Sequence, residues 1–402
     1  MMLGERGRYG HLTYCTNIHA GEDWEQLRPA LQRYLPAVKA AVSPGAPMGL
    51  GLRLSAAAAR RLQHPEAFDE LLKLLGDEFY VFTLNGFPYG TFHREPVKEN
   101  VYRPDWRSSE RLSYSNQLAD LLARVQPEGG YASISTLPGS FRPWLEQARG
   151  GPERARQIIA DQLIAHAAHL HEIRRTTGRE ICLALEPEPF CMLETTADTL
   201  AFFDTYLHSP PAISAMAGAT GSNAAEAERS LRRHLGVCLD VCHQAVMFED
   251  PLTCVDSLQA AGVRIAKLQL SAALKLAPVD VAALAELAEF NNSVYLHQTV
   301  VKDGAGLQYY LDLDQALVNG ARGAELEWRS HFHVPLFLDR LEHFSTTQDE
   351  LLRLLERHRS APICEHLEVE TYTWDVLPPR YRQEELADAI ALELNWVVRQ
   401  FQ

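Results

Sequence analysis

Apolar strand-like runs alternate with helix-like runs eight times along this chain, the strand candidates falling at residues 12–18, 49–54, 79–84, 131–137, 180–186, 236–241, 263–270 and 364–371. Repetition of this kind marks β/α units rather than segregated layers of helix and sheet. Several of the runs are apolar at nearly every position, as strands are when helices cover them outside and side chains pack inside. The pattern predicts an α/β fold, a (β/α)8 TIM barrel, whose C-terminal strand ends converge on one mouth. Residues 1–402 are read as a single barrel domain.

The intervening segments carry helical spacing. Trp24, Leu27, Leu31, Leu35, Val38 and Val42 recur at intervals of three and four and make one apolar face. Ser55 is placed to cap a helix over 56–75, and Thr347 with Glu350 makes a capping-box pattern ahead of Leu351, Leu352, Leu354 and Leu355. An amphipathic run over 384–401 supplies the eighth outer helix.

Three connections are long. Residues 85–107 follow strand three and are rich in aromatics and histidine, with Phe87, Tyr89, Phe92, His93, Tyr102 and Trp106. Residues 209–230, rich in Ala, Gly, Ser and Pro, precede strand six and are expected to form a mobile surface excursion on the opposite face. Residues 272–344 are a large insertion after strand seven, with a short helix near 281–290 and hairpin-like runs at 294–301 and 326–334, expected to roof the C-terminal mouth.

A formal charge of -14 repels a phosphate backbone, which argues against nucleic acid as a partner. No stretch of about 18 uncharged apolar residues occurs, so no membrane span is expected, and residues 1–10 lack the apolar region of a signal peptide. The seven cysteines have neither disulfide-framework nor zinc-ribbon spacing and are read as reduced, mostly buried thiols of a cytoplasmic protein.

The chemistry gathers at strand ends in the second half of the chain. Glu186 precedes Pro187, Glu188 and Pro189, and prolines cannot extend a central ladder, so strand five should stop at Glu186 and present its carboxylate. Asp240 and His243 form a D-x-x-H at the end of strand six, a carboxylate to bind a divalent ion and an imidazole to meet substrate or a second metal. His366, Glu368 and Glu370 share one face of strand eight; Glu370, nearer the mouth, is the preferred ligand, and Glu368 is read as structural, paired with Lys267. His297, His331 and His333 of the insertion are candidates to complete a coordination sphere, His331 and His333 lying on one face of an extended segment. His19, at the end of strand one, either contacts substrate or caps the next helix.

This arrangement resembles the xylose-isomerase-like TIM barrels, the superfamily of sugar-phosphate isomerases and epimerases, inosose dehydratases and endonuclease IV. The resemblance implies a divalent ion, Mn, Zn or Mg, held from strands five to eight, with Glu186, Asp240 and Glu370 on three of the four places and His243 matching the histidine after the strand-six aspartate. Strand seven departs from that pattern with Lys267 and Gln269 where the superfamily usually has histidine, which leaves Gln269 or His333 as the fourth ligand. The stretches Leu12-Thr13-Tyr14-Cys15-Thr16-Asn17-Ile18-His19, Asn85-Gly86-Phe87-Pro88-Tyr89-Gly90, Ala184-Leu185-Glu186-Pro187-Glu188-Pro189, His331-Phe332-His333-Val334-Pro335 and Glu368-Val369-Glu370-Thr371-Tyr372-Thr373-Trp374-Asp375 carry a closer likeness. Through them nearly the whole chain is similar to the EboE family of metabolite traffic proteins, encoded in the bacterial ebo gene cluster. That likeness implies a role in making or exporting a secondary-metabolite precursor, with other ebo-cluster proteins as possible partners.

Two expectations follow. One is a metal-dependent isomerase or epimerase acting on a small polyhydroxylated carbonyl compound through an enediolate, with Glu186 and Glu370 as acid/base pair and ligands, Asp240 and His333 as further ligands, and His19, His243, Lys267 and Gln269 toward substrate. Phe87, Tyr89 and Trp144 would wall its pocket. The other is a non-catalytic barrel that binds a metabolite and hands it on. Phosphodiester hydrolysis of the endonuclease IV kind is disfavoured by the charge.

Overall fold

The computed structural model describes residues 1–93, 96–382 and 385–402. Eight parallel strands, His11–Tyr14, Met48–Arg53, Phe79–Asn85, Tyr131–Thr136, Glu180–Leu185, Leu235–Asp240, Arg264–Leu270 and His366–Val369, form one sheet in which the first strand also pairs with the eighth. The sheet curls into a barrel whose seam lies between strands one and two. A parallel bridge from Cys15 to Gly51 closes the upper part of the seam. Below it the Thr13 hydroxyl donates to the Gly49 carbonyl at 2.8 Å and accepts from the Gly51 N–H at 3.0 Å, so a side chain does the work of a missing ladder rung.

Strands two and six are buried at every position, and strands four, five and seven at every position after the first, which explains their apolar character. Helices cover the outside. In Trp24–Val42 the residues with predicted helical spacing, Trp24, Leu27, Leu31, Leu35 and Val38, are the buried ones, and Asp23 caps the start by accepting from the Gln26 N–H.

Local expectations changed in several places. Strand one, expected over 12–18, ends at Tyr14, and Thr16–Ile18 is a 3-10 turn that separates it from His19. Ser55 does cap a helix, but that helix ends at Arg61 and a second one, Pro65–Leu75, starts at a proline that cannot continue the first. Residues 209–230 are not an open excursion: Pro210–Thr220 and Ala224–His234 form a helical hairpin, because alanine favours helix and Asn223 caps the second arm through the Glu226 N–H. Thr347 does not form a capping box; its hydroxyl accepts from the Ala273 N–H and Glu350 pairs with Arg329, both tying the insertion to the barrel. The last helix is Leu386–Arg399, and the expected start at residue 384 lies outside the described residues.

The insertion builds an antiparallel sheet from Leu274–Leu276, Thr299–Asp303, Gly306–Tyr310 and Glu327–Ser330, completed by Ser345–Thr346 just past its expected end at 344, with helices Val281–Ala288 and Leu313–Asn319. Glu327–Ser330 is paired on both sides, by Thr299–Asp303 and by Leu274–Leu276. The chain leaving this central strand carries His331 and His333 toward the barrel. The Val334 N–H bonds the Ala272 carbonyl, and His333 Nδ1 lies 2.6 Å from the Glu370 carbonyl oxygen. Among the described residues no helix is long and apolar enough to cross a membrane.

Candidate metal centre

Glu186, Asp240 and Glu370 arrive from three different strand ends. Each offers a carboxylate oxygen, and the three atoms lie within 4.8 Å of one another in the buried mouth. Each is held by its own element. Strand five pairs one residue past its end, since the Glu186 N–H bonds the Thr136 carbonyl before Pro187 stops the ladder. Asp240 caps the short helix Val241–Val246: its Oδ1 accepts from the His243 N–H at 3.0 Å and from the Ser271 hydroxyl at 2.8 Å. Glu370 Oε1 accepts from Asn17 Nδ2 at 2.8 Å and Asn85 Nδ2 at 3.0 Å.

One oxygen of two of these carboxyls is left over. Glu186 Oε2 and Asp240 Oδ2 are buried without a hydrogen-bond partner. Burial, reinforced by the charges of Glu370 and Asp240, pushes the Glu186 carboxyl well above the usual range, and burial with the charges of Asp240 and Glu368 does the same to Glu370. Buried carboxylates facing one another with free oxygens fit a divalent cation, which would neutralise the repulsion and fill the open acceptor sites.

Beside the carboxylates stands a second set of groups. His243 Nε2 is 4.0 Å from Asp240 Oδ1, His333 Nε2 is 3.9 Å from Asp240 Oδ2, and His331 Nε2 is 3.2 Å from His333 Nε2. Glu188 lies beside them, accepting from the Tyr102 hydroxyl at 2.7 Å, and burial pushes its carboxyl up to about 8. Phe87, Phe92, Tyr102, Tyr295 and Tyr372 help line the cavity above. The insertion supplies Tyr295 and Leu296, and Lys98 beside them is engaged by Asp312 and the carbonyls of Asn292 and Tyr295.

Other expected site residues lie elsewhere. Lys267 is fully buried below the mouth with its ammonium on Glu368 at 2.7 Å, and Gln269 is buried in the same interior; neither lines the cavity. His19 bonds the Tyr14 hydroxyl at 2.8 Å, stacks on Tyr34 and stays outside the cavity lining, with burial lowering its pKa to about 3. His297 is engaged on both ring nitrogens, by the His331 carbonyl and Asn292. His366 is at the far end of the barrel against Ser133 and Tyr131. Of the three aromatics expected as walls, Phe87 lines the cavity while Tyr89 and Trp144 border shallower clefts outside it.

No family model matches this sequence, and no curated protein matches it. Among solved structures, the chain is similar to a probable 3-DHS dehydratase, AsbF, involved in petrobactin synthesis in Bacillus anthracis, at 13% identity over 96% of this chain and 97% of that one, TM-score 0.45. It is similar to the 3-keto-D-glucoside 4-epimerase YcjR of E. coli, at 14% identity over 96% and 98%, TM-score 0.43. A third is the IolI protein with a bound zinc atom, at 13% identity over 98% and 99%, TM-score 0.43.

Sequence reasoning passed over Glu188, Asn17 and Asn85 as site residues. For Glu188 a signal existed, since it stands two residues after Glu186 and so shares its face in an extended segment. For the asparagines there was none, because their partner Glu370 lies 353 and 285 residues away.

Proposed function

We propose that this chain is a divalent-metal-dependent isomerase or epimerase of a small polyhydroxylated carbonyl compound, acting in the cytoplasm in the biosynthesis or export of a secondary-metabolite precursor, the metabolite traffic role that the EboE resemblance implies. The observation that carries the reading is the meeting of Glu186, Asp240 and Glu370 within 4.8 Å in a buried mouth under an aromatic-walled cavity. Those three would hold the ion, with His333 in reach of Asp240 as the fourth ligand. When bound, such an ion supplies Lewis-acid polarisation of a carbonyl and its neighbouring hydroxyl.

The remaining work falls to the side chains. Glu186 and Glu370, whose carboxyls burial and neighbouring carboxylates hold above the usual range, are the acid/base pair for moving hydrogen between adjacent carbons through an enediolate. Asn17 and Asn85 fix the orientation of Glu370, and Ser271 fixes Asp240. His243 donates from Nδ1 to the Pro187 carbonyl at 3.0 Å, which leaves Nε2 as an acceptor for a substrate hydroxyl. The aromatic walls shed water from the reacting centre.

A second reading, a carrier that binds and hands on a metabolite, is favoured by strand seven, whose Lys267 is committed to Glu368 and does not line the cavity. Elemental analysis of the purified chain beside Glu186→Gln and Asp240→Asn, all confirmed folded, separates the two. Near-stoichiometric metal lost from both variants supports the enzyme. A wild type that stays metal-free after soaking with manganese or zinc sinks it and favours the carrier.

A further inference from the structure

The floor of the cavity is made by strand ends, Glu186 and Glu370 among them, and further lining comes from two distant segments. Pro88, Phe92, Val97 and Val101 belong to the loop after strand three, and Tyr295 and Leu296 to the insertion. We infer that the lip over residues 97–101 is a lid, latched to the insertion by Lys98, and that a ligand enters or leaves the cavity only when this latch opens. Such a lid serves an enzyme and a carrier alike, so it does not rest on the reaction proposed above.

The seal between the two segments is polar. The Val97 and Lys98 N–H groups both donate to the Val294 carbonyl, at 2.9 and 3.2 Å. The Lys98 ammonium donates to the Tyr295 carbonyl at 2.7 Å and the Asn292 carbonyl at 3.2 Å, and it pairs with the Asp312 carboxylate. The receiving side is fixed. Asn292 Oδ1 accepts from the Val294 and Tyr295 N–H groups, and its amide donates to His297 Nε2, whose Nδ1 donates to the His331 carbonyl. Asp312 also accepts from the His297 and Leu313 N–H groups, so Lys98 locks onto a turn that the insertion already holds in place.

The donating side is the movable one. In the 3-10 helix Lys98–Tyr102 the buried residue is Tyr102, and it is anchored elsewhere, its hydroxyl on Glu188 and its ring stacked on Phe141 at 5.1 Å. Tyr102 therefore serves as the hinge. Val97 is the apolar side chain that the lip itself buries. Lys98 stands at φ 42°, in the left-handed region that L side chains seldom adopt. A short segment with little buried apolar surface, a strained backbone and a partly exposed ion pair belongs to the part of a fold that opens locally, without global unfolding. Its closure hangs on the Lys98 ammonium.

The test reads access directly and needs no metal. Diethyl pyrocarbonate acylates neutral imidazole at a free ring nitrogen, and His243, which lines the cavity, keeps Nε2 free because its Nδ1 donates to the Pro187 carbonyl. Chelator-stripped protein is labelled and each histidine is followed by peptide mass mapping. Exposed His64 and His343 are the unshielded references, and His234, buried outside the cavity with Nε2 unpartnered, is the reference for general loosening. In wild type His243 is expected to react far more slowly than His64. In Lys98→Met it is expected to react at least about 10-fold faster than in wild type, the lost charge-assisted bonds tipping the lid open, while His64, His343 and His234 keep their rates. Asp312→Asn, which removes the charge and leaves an acceptor for the Leu313 N–H, is expected to act in the same direction. A His243 rate unchanged in Lys98→Met overturns the latch, and so does a rise that His234 shares. If the variants do not fold, hydrogen exchange of the wild type decides. The Val97 and Lys98 N–H groups are expected to exchange by local opening, at rates indifferent to mild denaturant, whereas the Gly86 N–H on the Ser135 carbonyl exchanges through global unfolding. Equal protection of the two overturns the lid. Metal content is read separately, so the lid and the reaction can fail independently.

Discussion

Lys267 Nζ sits 2.7 Å from Glu368 Oε1 in the centre of the barrel, and neither side chain is exposed to solvent. Strands seven and eight are neighbours, and Glu368 is in register with Gln269, so the pair ties adjacent strands beneath the mouth. Removing one partner leaves an uncompensated buried charge. Lys267→Met is expected to destabilise the fold by about 3–5 kcal/mol, and Lys267→Met with Glu368→Leu to recover most of that loss. Urea denaturation of the single and double variants checks it; a single variant within about 0.5 kcal/mol of wild type would show that the pair is not sealed from water.

Glu368 also explains a glycine. A Cβ on Gly51 would stand 1.6 Å from Glu368 Oε2, at the seam where strand two meets strand one. Gly51→Ala is expected to cost about 3 kcal/mol or more, because the carboxylate is held by Lys267 and cannot move aside. Wild-type-like thermal stability of this variant would mean that the seam opens more easily than its hydrogen bonds imply.

Asn17 and Asn85 touch only one oxygen of Glu370, so their effect should be on metal affinity rather than on chemistry directly. Asn17→Ala is expected to weaken manganese binding roughly 10- to 100-fold, as outer-shell changes do. Competition with a chelating dye reads this, and an unchanged affinity would count against Glu370 as a ligand.

Stability should depend on pH through Glu393, which stands on the buried face of the C-terminal helix and is pushed up to about 7 by burial, against hydrogen bonds from Thr371, the Leu336 N–H and Trp374. The folded chain holds this proton more tightly than the unfolded one. Its contribution is therefore fully present below the ordinary value of 4.5 and is lost as pH rises through about 7, about 3 kcal/mol across the window. Between pH 4.5 and pH 7 the unfolding free energy of wild type should fall relative to that of Glu393→Gln. Parallel pH profiles for the two would show that the carboxyl is ionised throughout.

Much of the architecture was legible because it rests on local pattern. The eight strands and the apolar face of Trp24–Val42 follow from hydrophobic period, and Pro187 marks the end of strand five. The site was legible only where a side chain stands at such a strand end, as Glu186, Asp240 and Glu370 do. The pairing of Lys267 with Glu368 was also readable, since both point into a closed interior where a lone charge is costly.

Contacts across hundreds of residues were not legible, because nothing in a local window encodes them. The helical hairpin over 210–234 was hidden by a composition that looks like linker, and its helices form because they have a neighbouring helix to pack on. The sequence by itself determined a barrel of β/α units and which carboxylates end its strands, since hydrophobic period and proline act over a few residues. Only the tertiary structure decided that His333 reaches Asp240 with His331 against it, that Asn17 and Asn85 hold Glu370, and that Lys267 stays below the mouth, since these depend on how the barrel closes and where its insertion docks.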